Sequence, residues 1–144
     1  KIASYAQGFA LLRAASRERG YQTDLAEVAR IWTAGCIIRA RFLDRVREAF
    51  KAEPDLELLA LSGDFAAELR RREGAWRRVV TAASAAGLPV PGLSASLAWY
   101  DTLRTARGSA SLIQAQRDYF GSHTYERIDQ PGKAVHTEWP RFRK

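Results

Sequence analysis

The chain has 144 residues, no methionine, one cysteine and a formal charge of +7 at pH 7. This length suits a single domain with a sizeable core, and no apolar run approaches the roughly 20 residues that a membrane-spanning helix needs. The lone Cys36 excludes an intramolecular disulfide and favours a reducing, cytoplasmic setting; its neighbours Ile37 and Ile38 predict that it is buried. Because the chain lacks an initiator methionine and opens on Lys1, we expect it to belong to a longer protein.

The positive charge, judged by its sign alone, fits nucleic acid, an anionic membrane or an anionic metabolite. The arginines fall mostly on predicted helices with acidic residues among them, which is typical of a solvated helix face. No nucleic-acid recognition motif accompanies them. We therefore predict neither a nucleic-acid nor a membrane partner. The arginines concerned include Arg70, Arg71, Arg72, Arg77 and Arg78.

Apolar residues at helical intervals predict helices along most of the chain. The first helix ends at Gly20. Asp24 is the predicted N-cap of the next, with Glu27 placed to complete a reciprocal capping box. The periodicity then continues to Lys51, either as one helix kinked at Gly35 or as two helices. The apolar positions are Tyr5, Phe9, Leu12, Val28, Ile31, Trp32, Ile38, Phe42, Val46 and Phe50.

Proline and glycine punctuate the second half of the sequence. Pro54 is predicted to begin a short leucine-rich helix that ends at Gly63. A long surface helix follows over residues 64–86, and Ser94 is the predicted N-cap of the helix after it. The last helix is expected over residues 110–120.

No segment alternates apolar and polar residues as a half-buried strand does. The sequence therefore predicts an all-α fold, a multi-helix bundle domain over residues 1–123 with an extended C-terminal tail over residues 124–144. Tyr125, Trp139 and Phe142 lie in this proline-interrupted tail. Because aromatic side chains carry a large apolar surface, we expect something to bury them.

One run, residues 114–126, gathers groups suited to an anionic ligand. Arg117 offers a planar fork of donors that matches a phosphate or a carboxylate. His123 follows Gly121, which is the predicted left-handed end of the last helix. The two side chains are therefore predicted to reach one ligand from a helix C-terminus.

Both side chains also have a purely structural interpretation, which residue chemistry alone favours. Arg117 would form a surface salt bridge with Asp118 or Glu126, and His123 would cap a carbonyl near the helix end. A Ser-His-Asp triad of Ser122, His123 and Asp118 is disfavoured, because triads depend on geometry and these residues merely share a turn. The two histidines and one cysteine lack the spacing of a metal site.

Longer blocks of the sequence resemble one enzyme family in the order in which they occur. Besides the run above, they cover residues 4–9, 12–16, 31–40, 42–43, 76–80, 87–91, 100–101 and 136–139. Polar, glycine-containing blocks of this length are not required by an amphipathic pattern. Over nearly its whole length the chain closely resembles the C-terminal all-helical domain of decarboxylating 6-phosphogluconate dehydrogenase. It departs at residues 108–112, where the family more usually has a proline and an asparagine before the leucine.

The resemblance implies an enzyme of gluconate metabolism and the pentose phosphate pathway. Such an enzyme oxidises 6-phosphogluconate with NADP and decarboxylates the product to ribulose 5-phosphate and carbon dioxide. In the family, the residues matching Arg117 and His123 contact the substrate, the arginine through the phosphate, and both reach into the active site of the other subunit. The resemblance thus implies a homodimer in which the tail, 124–144, packs on the partner subunit.

The chain has no Gly-x-Gly-x-x-Gly run, so we expect NADP to be bound by a domain that precedes it. The catalytic lysine and glutamate of the family are likewise expected upstream of Lys1. We predict no catalytic residue, no cofactor-binding residue and no metal ligand in this segment, and no activity from the segment alone. The alternative is a non-catalytic helical interaction module of the same ancestry.

Overall fold

The computed structural model describes residues 1–140, and within that range it has six α-helices, one 3₁₀-helix and one two-stranded sheet. The helices are α1 (Ile2–Arg19), α2 (Leu25–Ile31), α3 (Phe42–Ala52), the 3₁₀-helix Leu59–Leu61, α4 (Gly63–Ala85), α5 (Pro91–Leu103) and α6 (Ala110–Gly121), and the strands are β1 (Tyr125–Arg127) and β2 (Gln130–Val135). The predicted all-α class is confirmed. None of the helices in residues 1–140 is both long and apolar enough to cross a bilayer.

The chain separates into two compact units, unit 1 (Lys1–Tyr100) and unit 2 (Asp101–Lys144). Unit 1 is held together by an apolar core in which aromatic rings meet across helices. The ring centroid of Phe9 lies 5.1 Å from that of Phe50 and 5.3 Å from that of Trp32. Such pairs contribute about 0.5–1.5 kcal/mol beyond the burial of their surface. The buried core residues are Ala6, Phe9, Leu25, Ala26, Ala29, Val46, Phe50, Leu56, Leu59, Ala60, Phe65, Leu69 and Tyr100.

Capping residues set the ends of the first helices largely as predicted. α1 ends at Gly20, whose left-handed φ of 68° suits a residue without Cβ. Asp24 caps α2, and its carboxylate accepts from the amides of Ala26 at 2.8 Å and Glu27 at 3.1 Å. The Glu27 carboxylate binds the Arg30 guanidinium and does not return a bond to Asp24. The predicted hydrogen bond from the Asp24 amide to Glu27 is therefore wrong. The Arg30 guanidinium, one turn away, forms stronger charge-assisted hydrogen bonds with the Glu27 carboxylate than a backbone amide would.

The chain leaves the helix between α2 and α3, which confirms the two-helix alternative. Gly35 has a left-handed φ of 68° there. The Tyr5 hydroxyl donates to the Ile38 carbonyl at 2.7 Å and ties this loop to α1. Cys36 is only partly buried and Ile37 is fully exposed, so the predicted burial of Cys36 is wrong. Its apolar neighbours belong to a loop, where local hydrophobicity does not ensure burial.

Two predicted helix starts are also wrong. Pro54 lies in non-helical chain, and the leucines after it form only the 3₁₀ turn Leu59–Leu61. α5 begins at Pro91, whose fixed φ suits the first helical position. The hydroxyl of Ser94 donates to the carbonyl of Val90 at 3.0 Å, so it lies within the first turn and does not cap the helix.

Unit 2 contains α6 and a hairpin that the sequence pattern did not reveal. β1 and β2 are antiparallel, with Tyr125 opposite Val135 and Glu126 opposite Ala134, and the register shifts after Glu126. Both strands are largely exposed, so no alternation of apolar residues was needed to form them. Phe142 lies outside the described residues, and its burial stays a prediction, as does the division into residues 1–123 and 124–144.

Candidate anion-binding site at the end of the last helix

The structure places Arg117 in the last turns of α6 and His123 directly after that helix, with both side chains exposed. The Nη1 of Arg117 donates to Oε1 of Gln114 at 2.9 Å. Among the described residues, no carboxylate lies within 4.0 Å of this guanidinium, so the alternative of a salt bridge to Asp118 or Glu126 is not found. Arg117 therefore presents most of its donor fork without an ionic partner.

The turn after α6 differs from the prediction in which residue is left-handed. Ser122, with φ 51° and ψ 38°, takes this conformation in place of Gly121, and its amide donates to the Asp118 carbonyl at 2.8 Å. Gly121 is needed for a different reason. A Cβ at Gly121 would lie 2.8 Å from Nε2 of His123. The imidazole of His123 therefore lies against the helix end in space that only glycine leaves open.

The carboxylate of Asp118, in the last turn of the same helix, has no solvent exposure. Its Oδ1 accepts from the Thr124 amide and from Nδ1 of His136, each at 2.9 Å. Its Oδ2 accepts from the Thr137 amide at 2.9 Å and from Nε1 of Trp139 at 2.8 Å. Because an ionised carboxylate only accepts, Nδ1 of His136 carries a proton. The buried charge is thus satisfied by four donors.

These donors also set the protonation of Asp118. Burial by itself raises the pKa of a carboxyl, because it removes water from the charged form. The donors outweigh burial and hold the pKa of Asp118 well below its usual range, with the Thr137 amide first, then the His136 ring, the Trp139 indole and the Thr124 amide. Asp118 is therefore a carboxylate throughout the neutral and mildly acidic range.

Sequence reasoning missed this cluster and offered Asp118 only as an ion-pair partner of Arg117 or a triad member. The donors lie 6 to 21 residues further along the chain, and no local spacing rule connects such separations. The available signal was indirect: His136 and Trp139 fall in the block 136–139 through which the chain resembles the dehydrogenase family.

Arg117 lies in an exposed apolar stripe of α6. Ile113 and Phe120, at i−4 and i+3, share its face and are 54% and 89% exposed. Leu112 and Tyr119 on the adjoining face are also exposed. Large contiguous patches of exposed apolar side chains are typical of surfaces that another molecule covers. If such a cover excluded water, charge-assisted bonds from Arg117 would become stronger.

A cavity with a volume of about 940 Å³ lies in unit 1. Apolar side chains such as Trp76, Val79 and Leu93 line much of it. Its arginines are already paired: Arg45 binds Asp64 at 2.6 Å, and Arg72 binds Glu68. The cavity therefore offers no arginine for a small anion. Among residues 1–140, no group of three or more His, Cys, Asp or Glu side chains is placed to hold a metal ion.

The family of the chain is shown by comparison with known proteins. A family model described as "6-phosphogluconate dehydrogenase, C-terminal domain" matches residues 1–139. The helical fold and this match thus define the class, the all-helical C-terminal domain of a dehydrogenase. The chain belongs to the 6-phosphogluconate dehydrogenase family.

Individual relatives agree with this assignment. The chain is 57% identical over 142 residues to "6-phosphogluconate dehydrogenase, decarboxylating 3, chloroplastic" of Arabidopsis thaliana, covering 99% of this chain and 29% of the relative. It is 51% identical over 140 residues to "6-phosphogluconate dehydrogenase, decarboxylating" of Synechocystis, covering 96% and 29%. A solved structure of Plasmodium falciparum 6-phosphogluconate dehydrogenase superposes with a TM-score of 0.89 at 45% identity, covering 96% and 29%. The chain thus spans less than a third of the length of these proteins.

Proposed function

We propose that the chain acts as the C-terminal part of a decarboxylating 6-phosphogluconate dehydrogenase, in which Arg117 and His123 bind the substrate. The observation that carries the proposal is the guanidinium fork of Arg117, which has no ionic partner among the described residues and lies at the same helix end as His123. The names of the relatives support the reaction. The Plasmodium falciparum structure is described with NADP+ and with 6-phosphogluconate.

The chemistry of the two side chains suits a sugar acid phosphate. A phosphate dianion accepts several charge-assisted hydrogen bonds, and arginine keeps its charge at any relevant pH. His123 adds a donor from the imidazole held over Gly121. These contacts bind and orient the substrate. NADP, as the hydride acceptor, is proposed to be held by residues outside this chain, which has no Gly-x-Gly-x-x-Gly run.

We also propose a homodimer in which α6 and the tail, 124–144, pack on the partner subunit. The exposed stripe of Ile113, Arg117 and Phe120 supports this assembly, because an exposed apolar face loses unfavourable contact with water when a second protomer covers it. Arg117 would then lie in a partly dry interface, where it reaches the partner's substrate. The lone cysteine further supports a reducing setting, for which we propose the cytoplasm, although several relatives are named chloroplastic.

The test is to substitute the two proposed ligands in a full-length dehydrogenase that carries this chain. Arg117→Ala removes a charge-assisted pair, and His123→Ala removes one donor. Loss of hydrogen bonds to a charged group costs about 1.5–3 kcal/mol, so the KM for 6-phosphogluconate is expected to rise roughly 10- to 100-fold for Arg117→Ala. The KM for NADP is expected to stay unchanged. Arg107→Ala, which removes an exposed arginine from the same unit, is the charge-matched control.

Two results would contradict the proposal. An unchanged KM for 6-phosphogluconate in both variants would favour the structural interpretation of Arg117 and His123. A pure, folded full-length protein that reduces no NADP in the presence of 6-phosphogluconate would favour the alternative of a non-catalytic interaction module.

A further inference from the structure

We propose that Asp118 is a positioning residue for substrate binding, and that residues 136–139 contribute to the site through it. The inference rests on the function proposed above and adds to it a group that does not touch the substrate. Asp118 fixes the turn that carries His123. The same carboxylate holds residues 136–139, which follow the hairpin, beside the turn of α6 that carries Arg117.

The first argument is the connectivity of the hydrogen bonds. Asp118 directly follows Arg117, so any shift of this helix end moves the guanidinium. The Thr124 amide, which donates to Asp118, directly follows His123. One carboxylate therefore ties the backbone on both sides of the proposed ligand pair. The remaining donors, from residues 136–139, return from the far end of the hairpin.

The second argument is the backbone around His123. Its neighbours Ser122 and Thr124 have left-handed φ angles of 51° and 59°, although neither is glycine. For a non-glycine residue such a sparsely populated conformation costs about 1–3 kcal/mol. It persists only when surrounding contacts stabilise it. The Asp118 side chain supplies one such contact at Thr124, and its carbonyl supplies another at Ser122.

The third argument is that the four hydrogen bonds to the Asp118 carboxylate allow a single arrangement of the donors. An exposed ion pair tolerates several arrangements, whereas a fully buried carboxylate must keep its donors aligned to avoid an uncompensated charge. All four donors of Asp118 lie between 2.8 and 2.9 Å. The edge-on contact of the Trp139 ring with Tyr119, at 6.1 Å between centroids, adds a second point of attachment to α6.

The test compares Asp118→Asn, Trp139→Phe and Asp129→Asn in the full-length dehydrogenase that carries this chain. In Asp118→Asn an amide group faces N–H donors, so the turn is expected to shift and the KM for 6-phosphogluconate to rise about tenfold or more. Trp139→Phe keeps an aromatic ring but loses one donor, and a rise of about threefold is expected. Asp129 binds Arg127 within the exposed hairpin turn, so Asp129→Asn is the matched control.

A role that is merely structural would produce a different pattern of kinetics. Loss of folded protein lowers kcat and leaves both KM values unchanged, whereas misplaced ligands raise the KM for 6-phosphogluconate and leave that for NADP unchanged. In an Arg117→Ala/His123→Ala background, Asp118→Asn is expected to add little further effect, because it acts through those side chains.

The outcomes separate this inference from the proposed function. If Arg117→Ala raises the KM for 6-phosphogluconate but neither Asp118→Asn nor Trp139→Phe does, the inference is overturned and the proposed function stands. A fall in kcat alone in both Asp118→Asn and Trp139→Phe also overturns it. If Arg117→Ala and His123→Ala leave the KM unchanged, both proposals fail. Should Asp118→Asn not fold, Trp139→Phe decides the question.

Discussion

Unit 1 and unit 2 are stabilised in opposite ways. Unit 1 buries a set of aromatic and aliphatic side chains from several helices. Within residues 101–140, the only buried residue is Asp118, a charged one. A buried phenylalanine contributes about 1.5–3 kcal/mol through the hydrophobic effect, which has no preferred direction, whereas hydrogen bonds to a charged group depend on the alignment of donor and acceptor. We infer that the core of unit 1 provides stability, whereas the hydrogen bonds of unit 2 fix the arrangement of residues at the end of α6.

Both units expose apolar side chains, but only unit 1 also buries a set of them. In unit 2 the apolar residues Leu112, Ile113 and Phe120 of α6 are left in solvent. A unit with so little apolar burial of its own gains stability if a partner covers this face. The proposed homodimer would therefore complete unit 2, whereas unit 1 already has a core.

The largest effect is expected from Phe9→Ala in the core of unit 1. Phe9 is 1% exposed and contacts the rings of Trp32 and Phe50, so its truncation removes apolar burial and leaves a cavity. The free energy of unfolding is expected to fall by about 3–5 kcal/mol, measured by urea denaturation. Leu11→Ala on the same helix, where the side chain is 71% exposed, should change it by less than about 0.5 kcal/mol. Equal losses of unfolding free energy in Phe9→Ala and Leu11→Ala would contradict the role of Phe9 in the core of unit 1.

The next effect concerns the apolar face of unit 2. Phe120→Glu places a charge in the exposed stripe of α6, and a charge buried without a partner in an interface is strongly unfavourable. If the proposed homodimer forms, we expect the full-length protein carrying this change to be monomeric under conditions in which the unsubstituted protein sediments as a dimer. Leu88→Glu, which places the same charge at an exposed leucine of unit 1, is the matched control and should remain dimeric. A dimer in both variants would show that α6 lies outside the interface.

Acid is expected to open unit 2 before it unfolds unit 1. The pKa of Asp118 in the folded state lies well below its unfolded value of about 3.9, so the carboxylate stabilises the hairpin fully at higher pH. This contribution is lost progressively as the pH falls below about 4. Hydrogen exchange at the Thr124 and Thr137 amides and at the Trp139 indole would follow the opening. Asp118→Asn should abolish this pH dependence and Asp129→Asn should keep it; an opening that is the same in all three proteins would contradict the assignment.

A smaller effect is expected from Gly121→Ala. The added methyl would lie 2.8 Å from Nε2 of His123, so the imidazole must turn away. A displaced rotamer costs about 0.5–1.5 kcal/mol, which corresponds to a rise of roughly 2- to 10-fold in the KM for 6-phosphogluconate. The melting temperature should not fall, because alanine is a better helix former than glycine. Gly108→Ala, with open space around it, should leave the KM unchanged.

Much of the helical framework follows from local sequence. Gly20 and Asp24 mark helix ends through backbone conformation and side-chain capping, which depend on neighbours one turn away. The errors occur where a different contact competes with the predicted one. Glu27 binds Arg30 instead of completing a capping box, and Leu56 and Leu59, after Pro54, are buried in the core of unit 1 without forming an α-helix of their own.

The sequence by itself determined the helical class, the run that carries Arg117 and His123, and the resemblance to a dehydrogenase family, because periodicity and ordered motifs are local properties. Only the tertiary structure decided that Asp118 joins Thr124 to residues 136–139, that Ser122 takes the left-handed turn, and that Gly121 makes room for an imidazole. A buried charge selects its donors by their direction and distance in space. No local spacing rule connects residues that are 18 to 21 positions apart.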